Sequence, residues 1–200
     1  RKEQYNIALD YLKKSNQLEK EKDDIFASVE MLLIYDQTDD IDASLNLATQ
    51  LIKDGNANSY VYFRAGASLV AQKKYDDAIP LLKKSLSLKD TSATFNQLGF
   101  CYQRKKRYDL AILYYEKGVD KEQMQSNYYE SYVAITNLGK CYYTLKEYQT
   151  ALKNFDRALK INPKYTHAFC WKLRTYDTLG KFDEVIKNCD GHKEFQDDPN

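Results

Sequence analysis

The chain has 200 residues, with 30 Lys and Arg against 29 Asp and Glu, so its formal charge is +1. That balance excludes the net basic stripe of a nucleic-acid platform. A hydrophobic share of 43% excludes a disordered tail. No run approaches the roughly 18 consecutive apolar residues of a membrane span. Three Pro and seven Gly are few and lean towards an all-α chain.

Apolar residues recur at i, i+3, i+4 and i+7, the helical period. Taken in chain order, they predict helices over residues 5–20, 23–36, 40–53, 58–72, 76–88 and 92–105. Five more follow over 109–122, 128–145, 149–161, 165–179 and 183–193. Asp39-Asp40-Ile41-Asp42 supplies an N-cap and acids at the positive end of a helix dipole. It lacks the ligand pattern of a calcium loop. Asp54-Gly55-Asn56 stops one helix. Pro80 is expected in the first turn of another, where a missing N–H is tolerated. The basic run Arg104-Lys105-Lys106-Arg107 falls on a turn, like Lys73-Lys74 and Lys146-Glu147, and reads as solvated charge. An insertion of about six residues near Gln123–Tyr129 reads as a longer helix end or loop. Asn162-Pro163 breaks the next helix, and 194–200 reads as a frayed tail or the way into a further segment.

These helices repeat. Small residues recur at Ala8, Ala43, Ala78, Ala111 and Ala151, followed by Val185, with spacings of 35, 35, 33, 40 and 34. Tyr75, Tyr108, Tyr148 and Phe182 keep the same phase, as do Gly66, Gly99, Gly139 and Leu173. Three columns in one phase mark an array of helix pairs. A mid-helix Gly costs about 1 kcal/mol against Ala. Close backbone approach at the helix crossing must offset it, with large residues such as Tyr102, Tyr115, Tyr142 and Phe155 filling the space alongside.

The clearest units run from Phe95 to Val119 and from Ile135 to Pro163. The second carries Leu138-Gly139, Tyr142, Tyr148, Ala151, Phe155, Ala158 and Pro163. The first carries Phe95, Leu98-Gly99, Tyr102, Tyr108, Ala111 and Tyr115. This pattern resembles the tetratricopeptide repeat. Residues 59–91 and 166–190 match through fewer positions, 24–58 through phase and Ala43, and 5–20 resembles a second helix without its first. The resemblance implies an all-α, right-handed superhelix of about five helix pairs. It implies a single array over 1–200, with repeats at 24–58, 59–91, 92–131, 132–165 and 166–193.

The resemblance also implies that the first helices of the pairs line a concave groove. Carried across, the groove positions are Ile25, Ser28, Leu32 and Tyr35, then Tyr60, Phe63, Ala67 and Val70. Next come Ala93, Asn96, Phe100, Gln103 and Arg104, then Val133, Thr136, Lys140 and Tyr143. His167, Cys170, Arg174 and Asp177 end the series. The first half is apolar and aromatic; the second is polar with mixed charge. The alternative is that these residues pack against neighbouring repeats or another part of the chain. The expected partner-binding residues are Tyr60, Phe63, Phe100, Lys140, Tyr143 and Arg174. The family's polar clamp for the acidic C-terminus of heat-shock proteins would fall on Asn96, Phe100, Asn137, His167 and Trp171. One repeat earlier it would fall on Phe63, Ala67, Gln97, Val133 and Asn137. Neither set supplies the cations a carboxylate needs, so no such clamp is expected.

No catalytic chemistry is legible. There is no nucleophile elbow, P-loop or dinucleotide fingerprint. Cys101, Cys141, Cys170 and Cys189 show neither disulfide density nor zinc spacing. Cys101 and Cys141 share a column and read as small apolar core residues. His167 and Cys170 lie one turn apart without further ligands. Trp171 either packs inward or caps the stack. No metal or cofactor is expected. The reduced-thiol pattern points to an intracellular, cytoplasmic setting.

The expected activity is non-catalytic: a scaffold that binds a peptide or helical segment of a protein partner in the groove. One alternative is an accessory domain of a larger enzyme such as a glycosyltransferase, which the Arg1 start and the half repeat at 5–20 fit. A helical-repeat RNA binder is disfavoured by the charge balance. Self-association would work through exposed end repeats.

Overall fold

The computed structural model describes the backbone of residues 2–18, 25–124 and 131–197, and it is entirely helical apart from turns among them. The helices are α1 (Lys2–Leu18), α2 (Phe26–Gln37), α3 (Ile41–Lys53), α4 (Ser59–Ala71), α5 (Tyr75–Leu88) and α6 (Ser92–Arg104). They continue as α7 (Tyr108–Met124), α8 (Ser131–Thr144), α9 (Tyr148–Ile161), α10 (Thr166–Thr178) and α11 (Phe182–Asp197). Every predicted helix is present. The last runs to Asp197, beyond its expected end. Most of the insertion expected near Gln123–Tyr129 lies outside the described residues.

The chain forms two compact units, residues 1–105 and 106–200. In the first, α4 packs on α5, α3 on α4, and α2, α4 and α6 touch in succession. Its core includes Leu32, Ala48, Leu51, Val61 and Ala65, with Leu45, Tyr60 and Leu81 packed against it. In the second, α8 packs on α9, α7 on α8, and α10 on both α8 and α9. Tyr115, Ile135, Ala151, Phe155 and Ala158 are fully or almost fully buried there. The alanine column is interior at its middle positions, where Ala78, Ala111 and Ala151 have no exposed surface, while Ala8 and Ala43 are half-buried.

Glycine lets the paired helices approach. A Cβ built on Gly66 would lie 2.7 Å from Cγ and Cδ2 of Leu82. One on Gly139 would lie 2.6 Å from Cε1 of Phe155. No normal van der Waals contact is that short, so hydrogen at these positions is a packing requirement.

The turns inside the pairs repeat as well. Asp39, Lys73, Lys106, Lys146 and Gly180 all have left-handed backbones, with φ between +55° and +68°. Lys73 N–H donates to the Val70 carbonyl and Lys74 N–H to that of Leu69, at 2.9 and 2.8 Å. Lys146 and Glu147 repeat this on Tyr143 and Tyr142, at 3.0 and 2.9 Å. Each arrangement is a Schellman stop that satisfies carbonyls at the helix end. The basic residues of these turns are exposed, as expected. Asp40 Oδ1 accepts from Ala43 N–H at 3.1 Å, so the acidic run does cap α3. Pro80 departs from expectation. It lies in the second turn of α5, on an exposed position, and there it removes a helical N–H rather than a spare one.

Candidate functional site

Six side chains were expected to bind a partner. In the first unit, Tyr60 and Phe63 project from α4 with ring centroids 6.4 Å apart. Beside them Arg64 ties α4 to α2 through a 2.7 Å salt bridge to Asp36. The Arg64 side chain is only 12% exposed, so it is scaffold, not a contact surface. Burial pushes the Tyr60 hydroxyl above its usual range, against the opposing pull of Arg64. Phe100, on α6, stands apart from that pair. Its ring meets Tyr75 edge-on at 6.2 Å, and Arg104 lies over the same Tyr75 ring at 6.0 Å.

In the second unit the other three converge. Lys140 and Tyr143 come from α8, one turn apart, and Arg174 from α10. All three meet at Trp171. The Lys140 ammonium lies 5.6 Å from the indole centroid, and the Arg174 guanidinium 5.1 Å. The Tyr143 ring meets the indole edge-on at 5.3 Å. Both cations are within cation–π range. Behind the indole, the Phe155 ring of the core is stacked at 6.5 Å. Trp171 therefore packs inward through one contact and carries polar residues around its rim.

Hydrogen bonds fix this cluster. Thr178 Oγ1 donates to the Arg174 carbonyl at 2.8 Å. That spends its only proton, so the Tyr143 hydroxyl donates to Thr178 Oγ1, 2.9 Å away. Lys140 Nζ donates to Asn137 Oδ1 at 3.2 Å. Tyr143 also meets Tyr148 edge-on at 5.5 Å, which ties the cluster to α9. The outcome is a preset face: one aromatic surface and two cations held by neighbours.

Four of the wider groove positions face inward instead. Ser28, Leu32 and Thr136 are no more than 2% exposed, and Val70 only 9%. Successive first helices pack on each other closely enough to bury them, and Thr136 Oγ1 satisfies itself on the Tyr132 carbonyl at 2.7 Å. His167 and Cys170 are exposed on α10. No group of three His, Cys, Asp or Glu side chains among the described residues has a metal-binding arrangement. Cys101 and Cys141 are buried, and desolvation pushes both thiols up to about 12. No helix among the described residues is long and apolar enough to cross a membrane.

The sequence reading missed Trp171 as the centre of this face. The signal was present: Lys140, Tyr143 and Arg174 occupy expected groove positions, and Trp171 neighbours them on the last first-helix.

Residues 132–165 and 93–120 match family models of the tetratricopeptide repeat. The chain carries tetratricopeptide repeats. Among solved structures it is similar to YrrB, described as a TPR protein with an unusual peptide-binding site. That match has a TM-score of 0.72 and 17% identity, and covers 94% of this chain and 93% of that one. It is also similar to MamA, with a TM-score of 0.70, 19% identity and coverage of 80% and 91%. At such identities the likeness concerns fold. In sequence it is 30% identical over 97 residues to an uncharacterized protein, ycf37, of Guillardia theta. Those residues are 46% of this tetratricopeptide-repeat chain and 51% of the relative, so the match spans about half of each.

Proposed function

We propose that this protein is a non-catalytic scaffold that binds a segment of a protein partner across α8 and α10. The observation that carries this reading is the convergence of Lys140, Tyr143 and Arg174 on Trp171. An aromatic surface fixed by hydrogen bonds costs little entropy on binding, and Trp, Tyr and Arg are the residues that dominate interface energies. Two cations on one ring favour a partner segment that places a carboxylate beside an apolar anchor. Tyr60, Phe63 and Phe100 offer a second, more apolar stretch in the first unit. The peptide-binding site named for YrrB lends this reading support by analogy of fold.

The test is a selection of peptides from a random displayed library on the wild type, counter-selected on Lys140→Glu/Arg174→Glu. Both proteins are first matched for helicity. Enriched peptides carrying Asp or Glu next to a large apolar residue, and lost by the variant, are the expected result. Binders retained equally by the variant would remove this face from consideration. A matching selection against Phe63→Glu/Phe100→Glu tests the apolar stretch.

A second reading, self-association, has its own observation. Phe182 and Ile186, one turn apart on α11, are 61% and 60% exposed. The Phe182 counterparts Tyr75, Tyr108 and Tyr148 are all half-buried. Light scattering of the wild type beside Ile186→Lys distinguishes a dimer built on α11 from a monomer.

A further inference from the structure

A cleft of about 360 Å³ opens on another side of α8, between α7 and α9. That volume lies in the range of small-molecule sites. Its floor is apolar, made by Val119 and Leu138, which are 1% and 4% exposed. Its walls are charged. Glu116 and Asp120 stand one turn apart on α7, and Arg157 lines the cleft from α9, with Asn154 one turn before it. The Tyr142 hydroxyl donates to Glu116 Oε1 at 3.2 Å and holds that carboxylate at the cleft. Burial, with Glu116 nearby, raises the Tyr142 hydroxyl above its usual range, so it remains a donor.

The charges in this cleft do not satisfy each other. Arg157, Asp120 and Glu116 form no ion pair among the described residues. Two carboxylates and one guanidinium thus line a single cavity unbridged, with a net charge of −1. The two carboxylates are carried on Cβ atoms about 5–6 Å apart, as for any i, i+4 pair.

We propose that this cleft binds a free basic amino acid. Lysine supplies two cations and one carboxylate, the complement of two carboxylates and one guanidinium. Its α- and ε-ammonium groups meet Asp120 and Glu116, its carboxylate meets Arg157, and its methylenes cover Val119 and Leu138. Charge-assisted hydrogen bonds are the strong ones, and a carboxylate suits the guanidinium fork. A neutral zwitterion leaves one acid unpaired. A diamine leaves Arg157 unpaired. This site is independent of the α8/α10 face.

The test is a ¹⁵N–¹H titration of the whole chain at low salt with three probes: L-lysine, cadaverine, and N-acetyl-Ala-Ala-Lys. Cadaverine lacks the carboxylate, and the tripeptide lacks the second ammonium. Lysine is expected to shift amides around Glu116, Asp120, Tyr142 and Arg157, and to bind about tenfold more tightly than either control. Arg157→Gln should bring lysine down to the level of cadaverine, whereas Arg157→Lys, which keeps the charge but loses the fork, should fall between that level and the wild type. Glu116→Gln/Asp120→Asn should lose lysine and cadaverine together. Circular dichroism confirms that each variant is folded. Absence of shifts at about 20 mM lysine, far above a 1 mM Kd, overturns the proposal. So does equal binding of lysine and cadaverine, or an Arg157→Gln variant that binds lysine unchanged. Binding of the tripeptide as tight as lysine would assign the cleft to a protein C-terminus instead and also refute it.

Discussion

Replacing Gly139 with Ala should destabilise this protein, against the helix-propensity scale. Ala is favoured over Gly inside a helix by about 1 kcal/mol. The new Cβ, however, would sit 2.6, 2.9 and 3.1 Å from three atoms of the Phe155 ring. Relief means a ring shift of several tenths of an ångström. Phe155 is fully buried and stacked on Trp171, so it has no open space to enter. Overpacking of this kind costs about 1–3 kcal/mol, and three short contacts on a rigid ring belong in the upper half. The net is a loss of about 1–2 kcal/mol after the propensity gain. Urea unfolding followed by circular dichroism gives the change, and Trp171, the only Trp, reports locally by fluorescence. The cause is isolated by Gly139→Ala/Phe155→Leu. If the ring is what the Cβ meets, the double variant is more stable than the sum of the singles by about 1 kcal/mol. A Gly139→Ala protein with a raised midpoint, or strictly additive energies, refutes the reasoning.

The left-handed turns give opposite predictions at equivalent positions. Lys146→Gly should stabilise by about 0.5–1 kcal/mol, because φ is +64° and a Cβ is penalised there. Gly180→Ala should cost about 1 kcal/mol although nothing lies within 4 Å of the new Cβ; thermal melts read both. Asn58→Ala should lose about 1 kcal/mol, since Asn58 Oδ1 accepts from Val61 N–H at 3.0 Å at the start of α4. Thiol titration at pH 8 should label exposed Cys170 first. Cys101 and Cys141, with thiols raised to about 12, hold roughly 10⁻⁴ as thiolate at pH 8. Their labelling should rise only as pH approaches 12 or the chain unfolds, and fast reaction of all four would contradict the burial.

The helices were legible because their evidence is redundant. The alanine column and the 3.6 period locate the same pairs, the aromatic column repeats the signal in the last four, and the expected helices are found among the described residues. The expected start of α8 at residue 128 lies outside the described residues, which resume at Ser131. The turns were harder to read. Gly marks a left-handed residue at 180, but Asp39, Lys73, Lys106 and Lys146 adopt the same conformation without it. Schellman hydrogen bonds hold Asp39, Lys73 and Lys146 there. The expected groove was partly legible. Period alone does not distinguish a position facing the groove from one facing the next helix, and Leu32 and Thr136 proved to be the latter. The cleft has only a faint trace: Glu116 and Asp120 at i, i+4, then Thr150, Asn154 and Arg157 at i, i+4 and i+7. Each set reads as an ordinary solvated stripe until packing sets them across one cavity.

Helix α8 serves three surfaces at once, and its geometry keeps them separate. Leu138 and Tyr142 each stand two residues from Lys140, so each is about 160° from it around the axis. Lys140 therefore belongs to the Trp171 face and Tyr142 to the cleft. Gly139 lies on the side that meets Phe155. The one group common to the first and third is Phe155, which supports the Trp171 indole from behind. A substitution at Tyr142 should then change the cleft while leaving the Trp171 cluster in place. A substitution at Lys140 should do the reverse. Gly139→Ala, by displacing Phe155, should disturb the Trp171 fluorescence in the folded protein as well as stability. That coupling follows from the stack: the residue that closes the core is also the one that positions the surface.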